Sequence, residues 1–474
     1  MLELFVQRLR DYAETQPNHH ALADESITLT YSQLWERVQQ LTATIRQAPY
    51  QRIALDMENS VNWVVYDLAI VLSERVCIPI PPFFTPQQRL DVLRDCGADV
   101  VISANGKMQP LSQTTSAELP TGTAKITYTS GSTGIPKGVC LSAANMLKTV
   151  FALAERIGHV NTKRHLVLMP LAVLLENVAG VYLSLWLGHE VVLTSPENLG
   201  ITGSSSLDLS SFSVALKRYK AQSLILTPAL LAAIVHNVEN NQLDATDFKL
   251  FAVGGARLPE PLEQRAYALQ LPLLQGYGLS EFGSVVTFNS PINPAPGTVG
   301  KPLAHAKVEI KENEVWVSGN CMLGYLNQPQ TWYPEALPTG DLGQFDACGN
   351  LQLLGRKKNT IVTAYGRNVD PEWLEGLIAL EPEISQVVVL GDEQLPLTAL
   401  LVPHQDGMDA AKLIERINRD LPDYAKIHQF KLLSTPFTVA NEQLTGTGRL
   451  RRDVIRAHYE PILFVNAMPH EVIL

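Results

Sequence analysis

The chain has 474 residues, of which 46% are hydrophobic and 18% are charged. This composition excludes a disordered protein, and the length favours two or more domains. The formal net charge of −10 provides no electrostatic attraction for nucleic acid or an anionic membrane, so neither is expected as a partner. The five scattered cysteines form no CxxC pair, which favours free thiols in a reducing cytoplasm.

The first hundred residues alternate between helical and strand patterns. Apolar residues at helical spacing predict a helix over 2–13, and Thr30 with Gln33 has the pattern of a capping box for a second helix. Buried strands are predicted at 52–56, 76–80 and 99–103, with an apolar helix near 61–72. This alternation predicts an α/β fold with a mostly parallel, helix-covered sheet.

The segment 171–187 is largely apolar, but Glu176 and Asn177 interrupt it. It is also shorter than the roughly 20 residues that a membrane-spanning helix needs. The segment therefore predicts a buried helix beside a ligand pocket, and no transmembrane segment is expected.

The remaining pattern indicates the end of a large domain and then a smaller one. Strands are predicted at 165–170, 191–194, 221–228 and 249–256, and the Ser- and Gly-rich segment 195–213 is expected to be a surface loop. Shorter strands after residue 299, at 307–310 and 314–318 with a turn at 346–350, predict a small antiparallel sheet or barrel.

A basic joint follows, and then an α+β unit in which Asp370 caps a helix that begins with Pro371. This unit also has predicted strands at 386–390, 397–403 and 430–433 and a helix at 410–421. The expected division is 1–356 for the large domain and 357–474 for the small one.

A polar loop follows the predicted strand 124–128. Residues 129–137 contain four hydroxyl side chains, two glycines and Lys137, so the loop cannot pack a core but can surround a polyanion. The order of residues matches neither a Walker loop nor a dinucleotide fingerprint. A flexible Ser/Gly linker is the alternative interpretation.

Two Gly-rich segments lie where an α/β sheet places its ligands. Gly254-Gly255-Ala256 ends a predicted strand. In the second segment, the glycines of Gly276-Tyr277-Gly278 expose backbone, and Tyr277 offers a flat face for a base. Ser280 can donate a hydrogen bond, and Glu281 can hold a divalent cation. A Gly-rich turn around a buried tyrosine is the alternative.

These segments, together with Pro338-Thr-Gly-Asp341 and Arg356, resemble in order and spacing the motifs of the adenylate-forming superfamily. That superfamily comprises acyl-CoA synthetases, carrier-protein ligases, peptide-synthetase adenylation domains and luciferases. The segments 169–176 and 355–375 look most like the long-chain fatty acyl-CoA synthetase and acyl-AMP ligase branch. The resemblance implies a large domain, completed by an antiparallel sheet, and a small mobile C-terminal domain.

The resemblance also implies a set of ATP contacts. It places both ribose hydroxyls on Asp341, with Arg356 nearby, and Mg²⁺ on Glu281 and Thr133. The implied ATP-binding residues are Thr129, Ser130, Gly131, Ser132, Thr133, Gly134, Lys137, Gly254, Gly255, Ala256, Gly276, Tyr277, Gly278, Ser280, Asp341 and Arg356.

Further residues are implied for the acid and for the second half of the reaction. Lys358 occupies the position of the hinge, about which the small domain rotates to bring Gly366 and Arg367 to the thioester step. The implied acyl-pocket residues are Val173, which stands where the long-chain branch has His, together with Glu176 and Leu279.

One position departs from the superfamily pattern. The superfamily has a catalytic Lys in Thr-x-x-Gly-Lys, but here Arg449 follows Gly448 in Thr445-Gly-Thr-Gly448-Arg449. Arg keeps the positive charge, but it is longer and forked, where Lys is a compact point charge. Three outcomes are open: Arg449 substitutes at reduced rate, the loop shifts its register, or adenylation is lost.

The implied activity is ATP-dependent activation of a carboxylic acid, of medium or long chain, as acyl-AMP. Lys137, Glu281 and Arg449 are the implied catalytic residues, and ATP and Mg²⁺ the implied cofactors. The acyl group then passes to a thiol of coenzyme A or of carrier-protein phosphopantetheine. The alternatives are a ligase dedicated to an acyl carrier protein and a weakly active or non-catalytic descendant that binds nucleotide or acyl groups.

Overall fold

The computed structural model describes residues 1–111, 116–129, 136–202, 206–363, 366–392, 395–405, 407–445 and 448–465. Its α-helices are Leu2–Thr15 (α1), Tyr31–Gln47 (α2), Val61–Leu72 (α3), Pro86–Asp95 (α4), Ala143–Ile157 (α5), Leu183–Leu187 (α6), Leu209–Tyr219 (α7), Pro228–Glu239 (α8), Glu260–Ala268 (α9), Pro371–Ile378 (α10), Ala410–Asn418 (α11) and Arg452–Val465 (α12). A π-helix spans Glu176–Tyr182, and single 3₁₀ turns span Glu197–Leu199, Ala245–Asp247, Ser280–Phe282, Pro329–Thr331 and Asp423–Ala425.

The strands of the first half are His20–Ala23 (β1), Thr28–Thr30 (β2), Arg52–Asp56 (β3), Val76–Pro79 (β4), Val100–Ser103 (β5), Met108–Pro110 (β6), Lys125–Thr129 (β7), Lys137–Leu141 (β8), Arg164–Leu166 (β9), Glu190–Val192 (β10), Ile201–Thr202 (β11), Ser206–Leu207 (β12) and Ser223–Leu226 (β13). Those of the second half are Leu250–Val253 (β14), Leu273–Leu279 (β15), Ser284–Phe288 (β16), Lys301–Pro302 (β17), Lys307–Lys311 (β18), Glu314–Ser318 (β19), Gly324–Tyr325 (β20), Ala336–Phe345 (β21), Leu351–Arg356 (β22), Ile361–Val362 (β23), Asn368–Val369 (β24), Ile384–Leu390 (β25), Thr398–Pro403 (β26) and Gln429–Leu432 (β27).

Two large sheets form the centre of the N-terminal domain. One has the strand order β17-β16-β15-β14-β13-β9-β10-β1-β2, and the other β20-β8-β7-β4-β3-β5-β6. Their central strands pair in parallel, and antiparallel pairs such as β7–β8 and β15–β16 flank them. The prediction of mostly parallel, helix-covered sheets is confirmed.

Helix α3 shows why the two sheets form one core. Nearly all of its side chains are buried, including Trp63 and Leu68, and they pack in one cluster with Ile53 of the second sheet and Val191 of the first. A helix that is apolar all round must be covered on all sides. Asp67 on this helix is also completely buried.

The predicted capping box of α2 is confirmed. The backbone N–H of Gln33 donates to Thr30 Oγ1 at 3.3 Å, and the Thr30 N–H donates to Gln33 Oε1 at 2.9 Å. These two bonds satisfy donors that a helix N-terminus otherwise leaves unpaired.

The prediction of a surface loop over 195–213 is wrong for its second half. Asp208 caps α7 by accepting from the Ser211 N–H at 2.6 Å, so the helix begins at Leu209. The serines at 210 and 211 favoured a loop by composition. Burial of Phe212 and Leu216 against neighbouring elements outweighs that preference.

The apolar segment 171–187 is helical from Leu174 onward. It continues from the π-helix Glu176–Tyr182 into α6, and both are mostly buried. Within the described residues, no helix has the length and apolar character required to cross a bilayer.

The third sheet and the smaller C-terminal domain follow. Strands β18-β19-β21-β22 form an antiparallel sheet, as predicted, and its register places Asp341 opposite Arg356. Strands β25-β26-β27 form the sheet of the C-terminal domain. Asp370 caps α10 by accepting from the Glu372 N–H, as predicted from the sequence.

We expect Thr30→Ala to lower the free energy of unfolding by about 1 kcal/mol, because the side-chain half of the capping box is lost. Urea unfolding of the whole chain measures it. The control is Thr44→Ala on the exposed face of the same helix, where the change should be small. An equal loss in both variants would contradict the capping role.

Candidate active site

The centre of the candidate site is the carboxylate of Asp341. The Tyr277 hydroxyl, from β15 of the first large sheet, donates to Asp341 Oδ2 at 2.6 Å. Arg356 Nε, from the adjacent strand β22, lies 2.7 Å from Asp341 Oδ1. Burial raises the pKa of Asp341, and Arg356 and the Tyr277 hydrogen bond oppose that rise. Both oxygens are therefore held in fixed directions by groups from two sheets.

Beside this carboxylate, the ends of neighbouring strands present bare backbone. Gly254 and Gly255 follow β14, and Gly255 has φ +81°, a conformation that favours glycine. A Cβ on Gly254 would come within 3.1 Å of the Gly276 carbonyl oxygen. At Gly278, a Cβ would lie 1.8 Å from the Ser284 carbonyl oxygen. The strand ends can be this close only because glycine occupies these positions, and Ala256 next to them is exposed.

Arg449 reaches this site from the C-terminal domain. Its Nη2 donates to the Gly255 carbonyl oxygen at 3.0 Å, while its backbone N–H donates to Thr445 Oγ1 at 3.0 Å. Although the residue is exposed as a whole, the protein around its guanidinium lowers the pKa of Arg449, as does the charge of Arg356. The carboxylates that oppose this shift are Glu372, Asp341 and Glu281. Arg449 thus connects the two domains at the candidate nucleotide site.

Glu281 lies in the 3₁₀ turn that follows β15. The Tyr325 hydroxyl donates to its Oε1 at 2.9 Å, and Lys137 Nζ lies 5.5 Å from the centre of the Tyr325 ring. Burial raises the pKa of Tyr325, so this phenol stays protonated and can donate. Among the described residues, no group of three or more His, Cys, Asp or Glu side chains could hold a metal ion. A single carboxylate fits Mg²⁺, which is often held by one or two carboxylates and substrate phosphates.

The polar loop lies between two paired strands. Thr129 at the end of β7 is the register partner of Lys137 at the start of β8, and Lys137 is exposed. The predicted phosphate contacts Ser130, Gly131, Ser132, Thr133 and Gly134 lie outside the described residues.

The residues predicted for the thioester step are not in the cluster around Asp341. Lys358 is exposed, and so are Gly366 and Arg367. The Arg367 N–H donates to Thr363 Oγ1 at 3.3 Å in the β23–β24 hairpin, and Gly366 has φ +67°.

The predicted acyl-pocket residues differ in their environment. Glu176 is completely buried: its Oε1 lies 2.7 Å from His165 Nε2, and its Oε2 accepts from the Met169 N–H at 3.3 Å. Val173 and Leu279 are half-buried, and Leu279 directly follows the Tyr277-Gly278 pair. Ser280, next along the chain, is also half-buried.

Ser284 is a notable residue that the sequence did not single out. It has φ +100°, which is rare for a residue with a side chain, and its buried hydroxyl has no hydrogen-bond partner among the described residues. Backbone strain and an unpaired polar group both cost stability, and such strain is concentrated at functional sites. A serine at the start of a strand gives no sequence signal of this kind.

The family of the chain follows from comparison with known proteins. The AMP-binding enzyme family matches residues 9–326, and the AMP-binding enzyme C-terminal domain matches residues 358–463. Because the first match covers more than half of the chain, the chain belongs to the AMP-binding enzyme family.

The similar proteins include acid–CoA ligases. A 2-succinylbenzoate–CoA ligase of Lactococcus lactis is 26% identical over 407 residues, covering 81% of this chain and 86% of the relative. A long-chain-fatty-acid–CoA ligase of Mycobacterium tuberculosis is 24% identical over 521 residues, covering 95% of this chain and 97% of the relative. The structure of an O-succinylbenzoate coenzyme A synthetase from Bacillus subtilis, in complex with ATP and a magnesium ion, matches with a TM-score of 0.75. Its identity is 21%, and the match covers 94% of this chain and 98% of that chain, which shows a shared fold.

These comparisons confirm three predictions: the adenylate-forming superfamily, the fold class and the class of enzyme, an AMP-forming acid–thiol ligase. The roles of individual residues and the domain boundary after residue 356 stay predictions.

We expect Ser284→Gly to raise the free energy of unfolding by about 1 kcal/mol. Relief of the strained backbone and removal of an unpaired hydroxyl outweigh the greater freedom of glycine in the unfolded chain. Urea unfolding measures it. Ser318→Gly, in strand β19 without a positive φ, should instead lower stability. A loss of stability in Ser284→Gly would show that its backbone is unstrained.

We expect AMP binding to weaken in acid, at a pH above the range of an ordinary aspartate, because burial raises the pKa of Asp341. Protonation removes the negative charge that is predicted to accept the ribose hydroxyls. Tyr277→Phe removes a hydrogen bond that lowers this pKa, so the midpoint should move to still higher pH. Calorimetric titration with AMP across pH gives the midpoint for each variant.

The matched control is Tyr267→Phe, whose hydroxyl lies by the Leu273 carbonyl rather than by Asp341. Its midpoint should equal that of the unmodified chain. An unchanged midpoint in Tyr277→Phe, or an equal shift in both variants, would rule out Asp341 as the titrating group.

Proposed function

We propose that the chain activates a carboxylic acid with ATP and transfers the acyl group to the thiol of coenzyme A. The observation that carries this proposal is the convergence of Tyr277 and Arg356 on the Asp341 carboxylate, in the field of which lies Arg449, bonded to the exposed backbone of Gly255. Such a site binds a nucleoside at the strand ends and places cations where phosphate charge changes during reaction.

In this proposal the nucleoside end of ATP is held first. Asp341 accepts both ribose hydroxyls, and Arg356 keeps the carboxylate ionised and in place. Tyr277 lies beside the base, and the backbone at Gly254–Ala256 and Gly276–Gly278 lets the nucleotide approach closely. Pre-oriented groups of this kind lower the entropic part of the barrier.

The phosphate end is held by the loop 129–134 and by Lys137. Glu281, with Thr133, would hold Mg²⁺, which when bound would neutralise part of the phosphate charge. The Tyr325 hydroxyl bonded to Glu281 orients that carboxylate.

A carboxylate oxygen of the acid then forms a bond to the α-phosphorus of ATP, and the bond to the bridging oxygen of pyrophosphate breaks. Negative charge increases on the departing pyrophosphate, where Lys137 donates, while Arg449 donates to the α-phosphate and to the carboxylate of the acid. This reaction depends on position and electrostatics, so no enzyme nucleophile is required.

In the second step the thiol sulfur forms a bond to the acyl carbon, and the bond from that carbon to the phosphate oxygen breaks. AMP leaves, and the thiol proton passes to solvent. We propose that the small domain, residues 357–474, rotates about Lys358 to bring Gly366 and Arg367 to this step. Their exposure supports a role in a different domain orientation. Phosphopantetheine on a carrier protein is the alternative acceptor.

For the acid we propose a medium- or long-chain acyl group, supported by motif resemblance and by the fatty-acid ligase among the relatives. An aryl acid is the second candidate, because the 2-succinylbenzoate ligase matches across most of its length.

Pyrophosphate release with ATP, Mg²⁺ and a panel of acids, from acetate to palmitate and including aryl acids, tests the proposal. Acid-dependent release is expected, and the preferred acid distinguishes the two candidates. If no acid in the panel gives pyrophosphate release while ATP still binds, the alternative of a non-catalytic binding protein is favoured.

We expect Arg449→Lys to lower the adenylation rate by about tenfold, because the shorter ammonium loses the bond to Gly255 while keeping the charge. Single-turnover pyrophosphate release measures it. Arg451→Lys, two residues further on, should leave the rate unchanged. A faster Arg449→Lys variant would mean that arginine is a poor substitute for the lysine of the superfamily.

A further inference from the structure

A group of fully buried polar side chains lies between the two large sheets. Lys125, the first residue of β7, has its Nζ 2.7 Å from Oδ1 of Asp67 on α3 and 3.0 Å from Oδ2. The same Nζ donates to Asn177 Oδ1 of the π-helix at 2.5 Å, and Asn177 Nδ2 donates to Asp67 Oδ2 at 3.0 Å. Lys125 is 1% exposed and Asp67 is 0% exposed, so this charge pair is isolated from water.

The adjacent residue of the π-helix continues the contacts to the other sheet. Glu176 Oε1 lies 2.7 Å from Nε2 of His165 on β9, and His165 Nδ1 lies 3.2 Å from Ser223 Oγ on β13. The close approach depends on Gly180, where a Cβ would stand 2.4 Å from Glu176 Oε1 and 2.7 Å from His165 Nε2. We call Ser223, His165, Glu176, Asn177, Lys125 and Asp67 the inter-sheet polar chain.

The polar groups around the charge pair have partners. Lys125 Nζ contacts both carboxylate oxygens of Asp67 and the amide oxygen of Asn177. Asp67 also accepts from the Tyr182 hydroxyl at 2.9 Å and the Cys77 thiol at 3.2 Å. A buried ion pair is weak evidence for stability, because apolar replacements often stabilise a protein equally well. A fully satisfied network does restrict the geometry of the elements that it joins. Stability alone therefore does not account for these residues.

The ends of the inter-sheet polar chain lead to opposite ends of the candidate nucleotide site. From Lys125, β7 runs to Thr129, the register partner of Lys137, where the predicted phosphate loop begins. From Ser223, β13 pairs in parallel with β14, which is followed by Gly254 and Gly255. The nucleoside end belongs to one sheet and the phosphate end to the other, so their separation depends on how the sheets are joined.

We propose that the inter-sheet polar chain is a positioning device that sets the phosphate-binding hairpin β7–β8 at the correct distance from the nucleoside-binding strand ends. Lys125 is the positioning residue on the phosphate side. The inference rests on the proposed function only in taking the hairpin as the phosphate end of the nucleotide site.

The test compares two ligands that share the nucleoside end. Calorimetric affinities for AMP and for ATP with Mg²⁺ are measured on the full chain and on Asp67→Asn/Lys125→Met. This pair of substitutions removes both charges together, so no unpaired charge stays buried. The Asp67→Asn amide can still bond to Asn177, so only the connection to β7 is lost. The control is Ile126→Val, the next residue on β7, which removes one methyl group from the core and leaves the inter-sheet polar chain intact.

AMP affinity should stay within about twofold in all three proteins, while ATP affinity of the double variant falls by about tenfold or more, the effect of one lost charge-assisted contact. The Ile126→Val control should keep both its AMP affinity and its ATP affinity. If the double variant fails to fold, Gly180→Ala, which forces Glu176 away from His165, takes its place with the same expectation. Equal changes in AMP and ATP affinity, or no change in either, would overturn the proposal.

Pyrophosphate release by the unmodified chain, measured alongside, reports on the proposed function separately. Nucleotide affinities need no acid substrate. A chain that binds ATP and AMP but adenylates no acid would contradict the proposed function, and the ratio of the two affinities would still decide the role of the inter-sheet polar chain.

Discussion

The carboxylate of Asp341 is held by a tyrosine from one sheet and an arginine from another, and the geometry of the candidate site depends on this junction. Without the Tyr277 hydroxyl and the Arg356 guanidinium, burial would favour the protonated acid, which is a poorer acceptor for two hydroxyl groups. The Tyr277 contact also fastens the antiparallel sheet β18-β19-β21-β22 to β15. The Asp341 carboxylate therefore both connects the two sheets and is the group predicted to bind the ribose.

Arg449 extends this arrangement across the domain boundary. Its forked side chain contacts the Gly255 carbonyl oxygen while lying in the field of Asp341 and Glu281. A second contact between the domains is the ion pair of Arg257 with Asp370, the residue that caps α10. A cation placed at the site by a separate domain is present only when that domain is docked. Under the proposed function, adenylation therefore depends on one orientation of the C-terminal domain.

Features that depend on residues close in sequence were predictable. The capping box of α2, the Asp370 cap and the strands β18 and β19 follow from local patterns, and the order of the motifs indicated the family. The helix α7 was missed because its start is rich in serine, and the burial that stabilises it involves distant residues.

Two other features of the site region were also beyond local patterns. Lys125 and Asp67 are 58 residues apart in the chain, and nothing in either segment indicates that they form a buried pair. The strained backbone of Ser284 results from its close packing against Gly278, which only the folded sheet reveals.

The most direct test of acid activation is to follow the oxygen atoms of the acid. A carboxylic acid labelled in both oxygens with the heavy isotope is incubated with ATP, Mg²⁺, coenzyme A and the chain, and the products are analysed by mass spectrometry. Attack on the α-phosphorus predicts AMP that carries one heavy oxygen, together with unlabelled pyrophosphate. Formation of ADP with labelled phosphate, or of AMP without the label, would contradict the account.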